Sequence, residues 1–351
     1  MIKIDWPGCR VIRYGENYKD NEEEFKKWLE IRRGFVGGSD AGSFNPESRY
    51  HSLFALYMNK VEGVSGFSGN GATERGSLIE EFIRKYTERA LGIKIHTCPY
   101  ALVSERFPFM GANLDGVITD EFKYKGQGFI GKTGVEIKSS RDGFGFSDSP
   151  EREEIPDDYY YQIQHQMAVS GIDRFLLPVY VMSSDKLMIF IVERNPEFIE
   201  QLIAEESRFW NEHVLAKVPP APKLIDAEKS IINAAMPGGE YEIELDEDLY
   251  DLIRSYTASQ KAEKEASEKK EKIGLMIRDY IYRNVDSSGS ESESTKVTLA
   301  KNDKGVSLSF SAGESSRVDT GKLKGKYPDV YSECLSTNKT SRLTVGIKEV
   351  F

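Results

Sequence analysis

Glu80, Asp115, the triplet Glu136-Ile137-Lys138 and the glutamines Gln162 and Gln164 are the residues of this chain whose types and spacing could do chemistry. In Gly134-Val135-Glu136-Ile137-Lys138-Ser139, the acid and the lysine lie two apart in an apolar, β-prone run, so a strand turns both to one face. Placing them side by side on a strand has a desolvation cost that ordinary packing does not explain. Asp115 closes a similar segment, 109–118, which reads as strand flanked by small residues. Two acids on adjacent strands and a third from a helix supply oxygen ligands to a hard divalent cation. A lysine beside that cation can hold, or help deprotonate, an attacking water. The chemistry this pattern suggests is metal-dependent phosphodiester cleavage. Taken singly, each residue has a plainer explanation: Asp-Gly is a common turn, and Glu-x-Lys a common exposed ion pair. The signal is the order helix acid, Asp, Glu-x-Lys, glutamine-bearing helix.

These residues need elements to position them. Apolar periodicity predicts helices over 22–31, 53–61, 76–91, 157–171 and 196–216, with Gly34 and Gly92 as stops. The region 93–139 is strand-rich, and 174–182 with 187–193 forms a hairpin around Ser183-Ser184-Asp185. This alternation predicts an α/β core with a mixed sheet over 1–217. A proline-containing linker and lead-in follows over 218–244, then an accessory region over 245–351. There, 245–284 reads as a charged helical hairpin or short coiled coil, and 285–295 as a disordered loop. A β-hairpin (296–311), a short helix (320–334) and a terminal strand complete a small α+β module.

Bulk properties narrow the class. The 351 residues are 39% hydrophobic and 30% charged, enough apolar material for a globular core. The longest apolar runs, such as 175–182, are far too short to span a membrane, and the N-terminus lacks a signal-peptide core. Cys9, Cys98 and Cys334 are too few and too scattered for a disulfide framework or zinc site, so a reducing cytoplasm is expected. A net charge of −10 argues against a static DNA-coating protein. It leaves room for an acidic catalytic cleft with a few placed cations.

Over about 20–215 the chain resembles the YqaJ-type viral recombinase nucleases, relatives of phage lambda exonuclease in the PD-(D/E)XK superfamily. The resemblance rests on the run from Trp28 to Gly34 followed by Gly38-Ser39-Asp40-Ala41, and on Gly76-Ser77-Leu78-Ile79-Glu80. It rests equally on Gly111-Ala112-Asn113-Leu114-Asp115-Gly116, on Glu136-Ile137-Lys138, and on the glutamine helix from Tyr160 to Gly171. It implies a restriction-endonuclease-like core, and Mg²⁺-dependent 5′→3′ digestion of linear double-stranded DNA that leaves 3′ tails for recombination. Mn²⁺ would substitute. A single-strand annealing partner, a ring-shaped homo-oligomer and a phage or prophage origin in a bacterial cytoplasm are implied with it. Carried over by position, Asp115 and Glu136 become metal ligands together with the Ile137 backbone carbonyl. Glu80 then serves a second ion or its water, Lys138 positions the attacking water, and Gln162 orients the site. Arg32 and Ser39 fall where the family grips a 5′-terminal phosphate, although Arg32 reads equally well as a solvated helix-end cation. Glu81 rivals Glu80, and helical phase does not separate them.

Gly126–Thr133 satisfies the P-loop pattern, but the following Gly134–Ile137 is strand where a phosphate-binding helix should begin, so a hairpin turn and no ATP are expected. His165 could touch DNA or cap the cleft, and Tyr159-Tyr160-Tyr161 reads as packing at a helix entry. The alternatives are a restriction-type enzyme, a CRISPR-associated iron–sulfur nuclease (which needs four cysteines where this chain has three), or a non-catalytic DNA-end-binding protein.

Overall fold

A computed structural model describes residues 4–14, 21–64, 71–149, 152–223, 225–236, 240–284, 295–298, 308–312, 316–335 and 344. The chain divides into two compact units, Met1–Pro237 and Gly238–Phe351. The first begins with β1 (Cys9–Arg13), α1 (Glu22–Arg33), α2 (Leu53–Tyr57) and α3 (Gly71–Leu91). Nine strands follow: β2 (Tyr100–Ser104), β3 (Gly111–Asn113), β4 (Gly116–Ile118), β5 (Phe122–Tyr124), β6 (Gln127–Phe129), β7 (Thr133–Val135), β8 (Lys138–Ser140), β9 (Ser147–Ser149) and β10 (Arg152–Glu154). Then come α4 (Asp157–Ser170), β11 (Arg174–Val181), β12 (Lys186–Glu193), α5 (Pro196–Phe209) and α6 (Asp226–Ala235).

The central sheet has the order β12-β11-β7-β4, with β8 also beside β11. β11 runs antiparallel to β12 but parallel to β7 and β8, while β4 is antiparallel to β7. The expected mixed sheet with flanking helices is present. Side chains of β11 alternate between two cores, as a strand buried on both faces must. Phe175, Leu177 and Val179 join Ile163 and Met167 of α4, whereas Leu176 joins Ile83 of α3 and Val135 of β7. Helices α4 and α3 therefore cover opposite faces.

Two departures from regular strand geometry create the corner where chemistry can occur. β3 pairs in a separate antiparallel sheet, β1-β2-β3, while β4 pairs in the central one, so Leu114 and Asp115 lie where the chain crosses between sheets. The single strand expected around Glu136 is interrupted. β7 and β8 pair with β11 in one continuous register (Leu176 with Val135, Val179 with Lys138), but Glu136 and Ile137 lie between them. Glu136 N still donates to the Leu176 carbonyl at 3.1 Å. Ile137 N donates instead to Asp115 Oδ2 at 2.7 Å, which ties the crossover to the strand gap.

The false P-loop is a hairpin. Lys125 and Gly126 have φ of 49° and 79°, the paired left-handed conformations of a two-residue turn between β5 and β6, and Thr133 opens β7. No helix N-terminus is there to receive a phosphate.

The expected boundary at 217 needs correction. Val218-Pro219-Pro220-Ala221-Pro222 lies inside the first unit, because the segment beyond it docks back. Lys223 Nζ donates to the carbonyls of Asn45 and Ser48 at 3.2 Å each, and Ile231 of α6 is buried with Phe44, Leu56 and Phe209. In the second unit, α7 (Glu247–Asn284) is one continuous helix of 38 residues rather than a hairpin. Its Ala-, Lys- and Glu-rich centre has high helix propensity, and Gly274 alone does not break it. β13 (Thr295–Thr298) and β14 (Ser309–Ala312) form the expected antiparallel pair. The single helix expected at 320–334 is split into α8 (Thr320–Lys326) and α9 (Pro328–Glu333), since Pro328 lacks the N–H needed to continue and starts a new first turn. The loop expected over 285–295 and the terminal strand fall almost wholly outside the described residues.

A chain ending at Pro237 should unfold in urea at the same midpoint as the first unit of the full protein. One ending at Lys217 exposes the apolar seat of Ile231 and should lose about 1.5–3 kcal/mol or more. Equal midpoints for the two truncations would show that α6 contributes nothing.

Candidate active site

The Glu136 carboxylate is buried, with 5% of its side chain exposed, and takes hydrogen bonds from three side chains. Lys138 Nζ donates to Oε1 at 2.7 Å, Gln162 Nε2 donates to the same oxygen at 2.6 Å, and Gln166 Nε2 donates to Oε2 at 2.7 Å. The two-residue spacing does put acid and lysine on one face, toward α4. Gln162 and Gln166 are one helical turn apart, so both reach the same carboxylate. Gln166 Nε2 also donates to the Asn113 carbonyl at 3.1 Å, linking α4 to the end of β3. Above the lysine lies Tyr159, its ring centroid 5.0 Å from Nζ.

Asp115 completes the centre through its bond to Ile137 N. Burial, then the charges of Glu136 and Glu80, hold its carboxyl well above the ordinary range, against the pull of Lys138 and the Ile137 N–H. Burial alone would lower the Lys138 pKa, but Glu136 and Asp115 outweigh it and keep the ammonium more firmly protonated than usual. Glu80 and Glu81 differ in their surroundings. Glu81 is exposed and paired with Lys85 at 2.7 Å, whereas Glu80 is partly buried and its charge is felt at Asp115.

Three acids and one lysine leave excess negative charge, and the elevated Asp115 carboxyl is the strain a divalent cation would relieve. The donors are oxygens, which suits Mg²⁺ or Mn²⁺ rather than a soft metal. The residues fit such an ion in charge and donor type. They do not form a finished cage: among the described residues, no three of His, Cys, Asp and Glu are spaced to hold a metal by themselves.

A second cluster lies on the loop after α1. Arg32 Nη2 donates to Ser39 Oγ at 2.5 Å, and its guanidinium sits 4.7 Å from the centroid of the Trp28 ring. Beneath them, Lys60 Nζ is 2.7 Å from Asp40 Oδ2 and donates to the Arg32 carbonyl at 2.7 Å. Burial would raise the Asp40 pKa, but Lys60 and Arg32 overcome it and hold the group ionised. Burial, with Arg32 and Arg33 nearby, lowers the Lys60 pKa against the pull of Asp40. The two clusters are neighbours because Gly38 lies flat against Gln166. A Cβ there would stand 3.0 Å from Gln166 Cγ, so a side chain at this position would press on the glutamine that holds Glu136.

Gln166, Tyr159 and the Asp40–Lys60 pair join the expected residues at these two clusters. Gln166 was legible as the residue four after Gln162; the others depend on contacts between distant elements. His165 does not face DNA. It is fully buried, with Nε2 donating to the Gly111 carbonyl at 2.9 Å and Nδ1 2.7 Å from Glu206 Oε1, and it locks α4 to β3 and α5. Of the tyrosines, Tyr160 and Tyr161 pack on Phe198 as expected. Burial pushes the Cys98 thiol up to about 11, which suits packing and not metal binding.

Residues 27–173 match the YqaJ-like viral recombinase domain. The chain is 28% identical over 343 residues to "Uncharacterized protein YqaJ" of Bacillus subtilis (strain 168), covering 95% of this chain and 97% of the relative. Among solved structures it is similar to the alkaline exonuclease LHK-Exo from Laribacter hongkongensis, at 18% identity and a TM-score of 0.41, covering 55% of this chain and 94% of that one. A phage related exonuclease from Haemophilus somnus 129PT aligns at 13% identity and a TM-score of 0.38, over 54% of this chain and 99% of that one. Among the described residues, no helix is long and apolar enough to cross a membrane.

The raised Asp115 pKa has a sign. The native state keeps a proton that the unfolded chain releases, so this group stabilises the fold at acid pH. That stabilisation is lost as pH rises from about 4 through the native pKa. In EDTA the thermal midpoint should therefore contain a component that falls over this window and vanishes in Asp115→Asn. Mg²⁺ should raise the midpoint more at alkaline than at acid pH. A metal-induced shift of equal size at both ends would remove Asp115 from the ligand set.

Proposed function

We propose that this protein, which matches the YqaJ-like viral recombinase domain over residues 27–173, is a divalent-metal-dependent deoxyribonuclease that digests linear duplex DNA from its 5′ ends, leaving 3′ tails for recombination. The observation that carries the proposal is the Glu136–Lys138 pair clamped by Gln162 and Gln166 beside Asp115. Asp115, Glu136, the Ile137 carbonyl and Glu80 would hold Mg²⁺ or Mn²⁺. When bound, the ion supplies charge stabilisation for the phosphate and a water of lowered pKa. Lys138, kept protonated by its acids, donates a hydrogen bond to the attacking water or to a phosphate oxygen. Gln162 and Gln166 fix the Glu136 carboxylate so that its lone pairs keep one orientation. Arg32 and Ser39 take the 5′-terminal phosphate, which offers more acceptor oxygens and charge than an internal diester does. A ring-shaped homo-oligomer and a single-strand annealing partner belong to the same reading.

Asp115→Ala, Glu136→Ala and Lys138→Ala should each leave the fold intact and abolish cleavage of end-labelled duplex, the lysine by about 10²–10⁴-fold. Substantial Mg²⁺-dependent activity in Glu136→Ala would defeat the proposed centre. Lys132→Ala should cleave like wild type, with no stimulation by ATP.

Removing the 5′-phosphate should slow digestion far more than removing a 3′-phosphate. Arg32→Ala should lower the rate on phosphorylated ends roughly ten- to a hundredfold while narrowing the gap to hydroxyl ends. An Arg32→Ala enzyme with undiminished phosphate preference would put the terminal phosphate elsewhere.

A further inference from the structure

Directly after β8, the turn 141–146 presents Phe144 to solvent with 89% of the residue exposed. An aromatic ring so open is usually on a mobile tip, but the backbone of this turn is tethered by hydrogen bonds. Ser183 N donates to the Arg141 carbonyl at 2.8 Å and Met182 N to the Ser140 carbonyl at 2.9 Å. Gly143 N donates to Ser140 Oγ at 2.9 Å, and Phe146 N to the Gly143 carbonyl at 3.0 Å. Gly143 and Gly145, with φ of 77° and 81°, flank the phenylalanine in conformations that favour glycine, and they lie against Val181 and Pro156.

The turn is also joined to the acid centre by stacked rings. Phe146 stacks on Tyr159 at 5.7 Å and 19°, and Tyr159 is the ring beside the Lys138 ammonium. On the same turn, the Arg141 side chain is 84% exposed, with only a loose 3.6 Å approach to Asp142. An exposed aromatic on a backbone-tethered turn, beside an exposed guanidinium whose one ion pair is long, is a pairing that can bind a base and its phosphate.

Resting on the nuclease reading above, we infer that 141–146 is a base-stacking element: Phe144 stacks on a base at the DNA end, and Arg141 pairs with an adjacent phosphate. A protein partner would favour a broader apolar surface than one ring ringed by glycine and charge.

The test uses the full chain and a duplex carrying 2-aminopurine at its terminal position, with Ca²⁺ replacing Mg²⁺ to suppress cleavage. Wild type should change the 2-aminopurine fluorescence on binding. Phe144→Ala should lose that change and bind ends roughly five- to a hundredfold more weakly, the range that loss of one stacking contact gives. Its thermal midpoint should not move, since the ring is exposed. Phe144→Trp should restore binding and Phe144→Leu should not, and Arg141→Ala should reduce the salt dependence of binding by about one phosphate. Unchanged binding in Phe144→Ala, or rescue by leucine, would overturn the inference and leave the turn to a protein partner or to none. Cleavage by wild type in Mg²⁺ is scored separately, so a protein that binds through Phe144 but never cuts sinks the nuclease reading alone. One that cuts yet ignores Phe144 sinks only the stacking element.

Discussion

A carboxylate buried in the middle of the molecule has to be met by donors, and much of the first unit is arranged to meet one. Removing such a charge from water costs several kcal/mol even after relaxation. Each charge-assisted hydrogen bond returns about 1.5–3 kcal/mol, so the three donors on Glu136 are needed together. This requirement explains why α4, a helix in the core, buries Gln162 and Gln166 where leucines would otherwise be expected, while Gln164 and His165 are buried on the Glu193 carbonyl and on Glu206. It also accounts for the strand gap at Glu136-Ile137, which frees a backbone N–H for Asp115 while the register with β11 continues on both sides.

Once Gln166 is committed to Glu136, its neighbours are constrained in turn. The loop at Gly38 can approach only without a side chain, and that loop carries Ser39 and Asp40. Asp40 is held ionised by Lys60 and Arg32, so the guanidinium of Arg32 is fixed from below and from the side. The acid centre and the cationic pocket are thus two ends of one packed assembly, with a glutamine amide between them. His165 and Glu206 secure the same helix to α5 from within the core, where the charge of Asp40 reaches both of them.

Much of this was legible in the chain. The i, i+2 spacing of Glu136 and Lys138 states which face they share, and the apolar run of 175–182 states that its strand is covered on both sides. Helices α1, α4 and α5 follow from apolar periodicity with glycine or asparagine at their ends. What could not be read were relations between segments far apart in sequence. The choice of Glu80 over Glu81 depends on which neighbour each acid meets, and Lys60 shows its role only when placed against Asp40. The proline run at 218–222 misled for the same reason. Composition reports a stiff segment, but whether it leaves the domain or turns back is decided by Lys223 and Ile231, which find their partners on the loop and helices around Asn45 and Leu56.

The bond from Ile137 N to Asp115 also has a temporal side. It forms only where β4, β7 and the crossover from β3 are together, and Glu136 is satisfied only after α4 has docked and β11 has closed the parallel pairing beyond it. Such non-local closures are among the slow steps of folding. A nascent chain emerging from the ribosome therefore holds Glu80, Asp115 and Glu136 before it holds a centre, and a chain that stalls before β11 has no assembled one. Assembly of the acid centre is thereby deferred until the strand that closes the central sheet has been made.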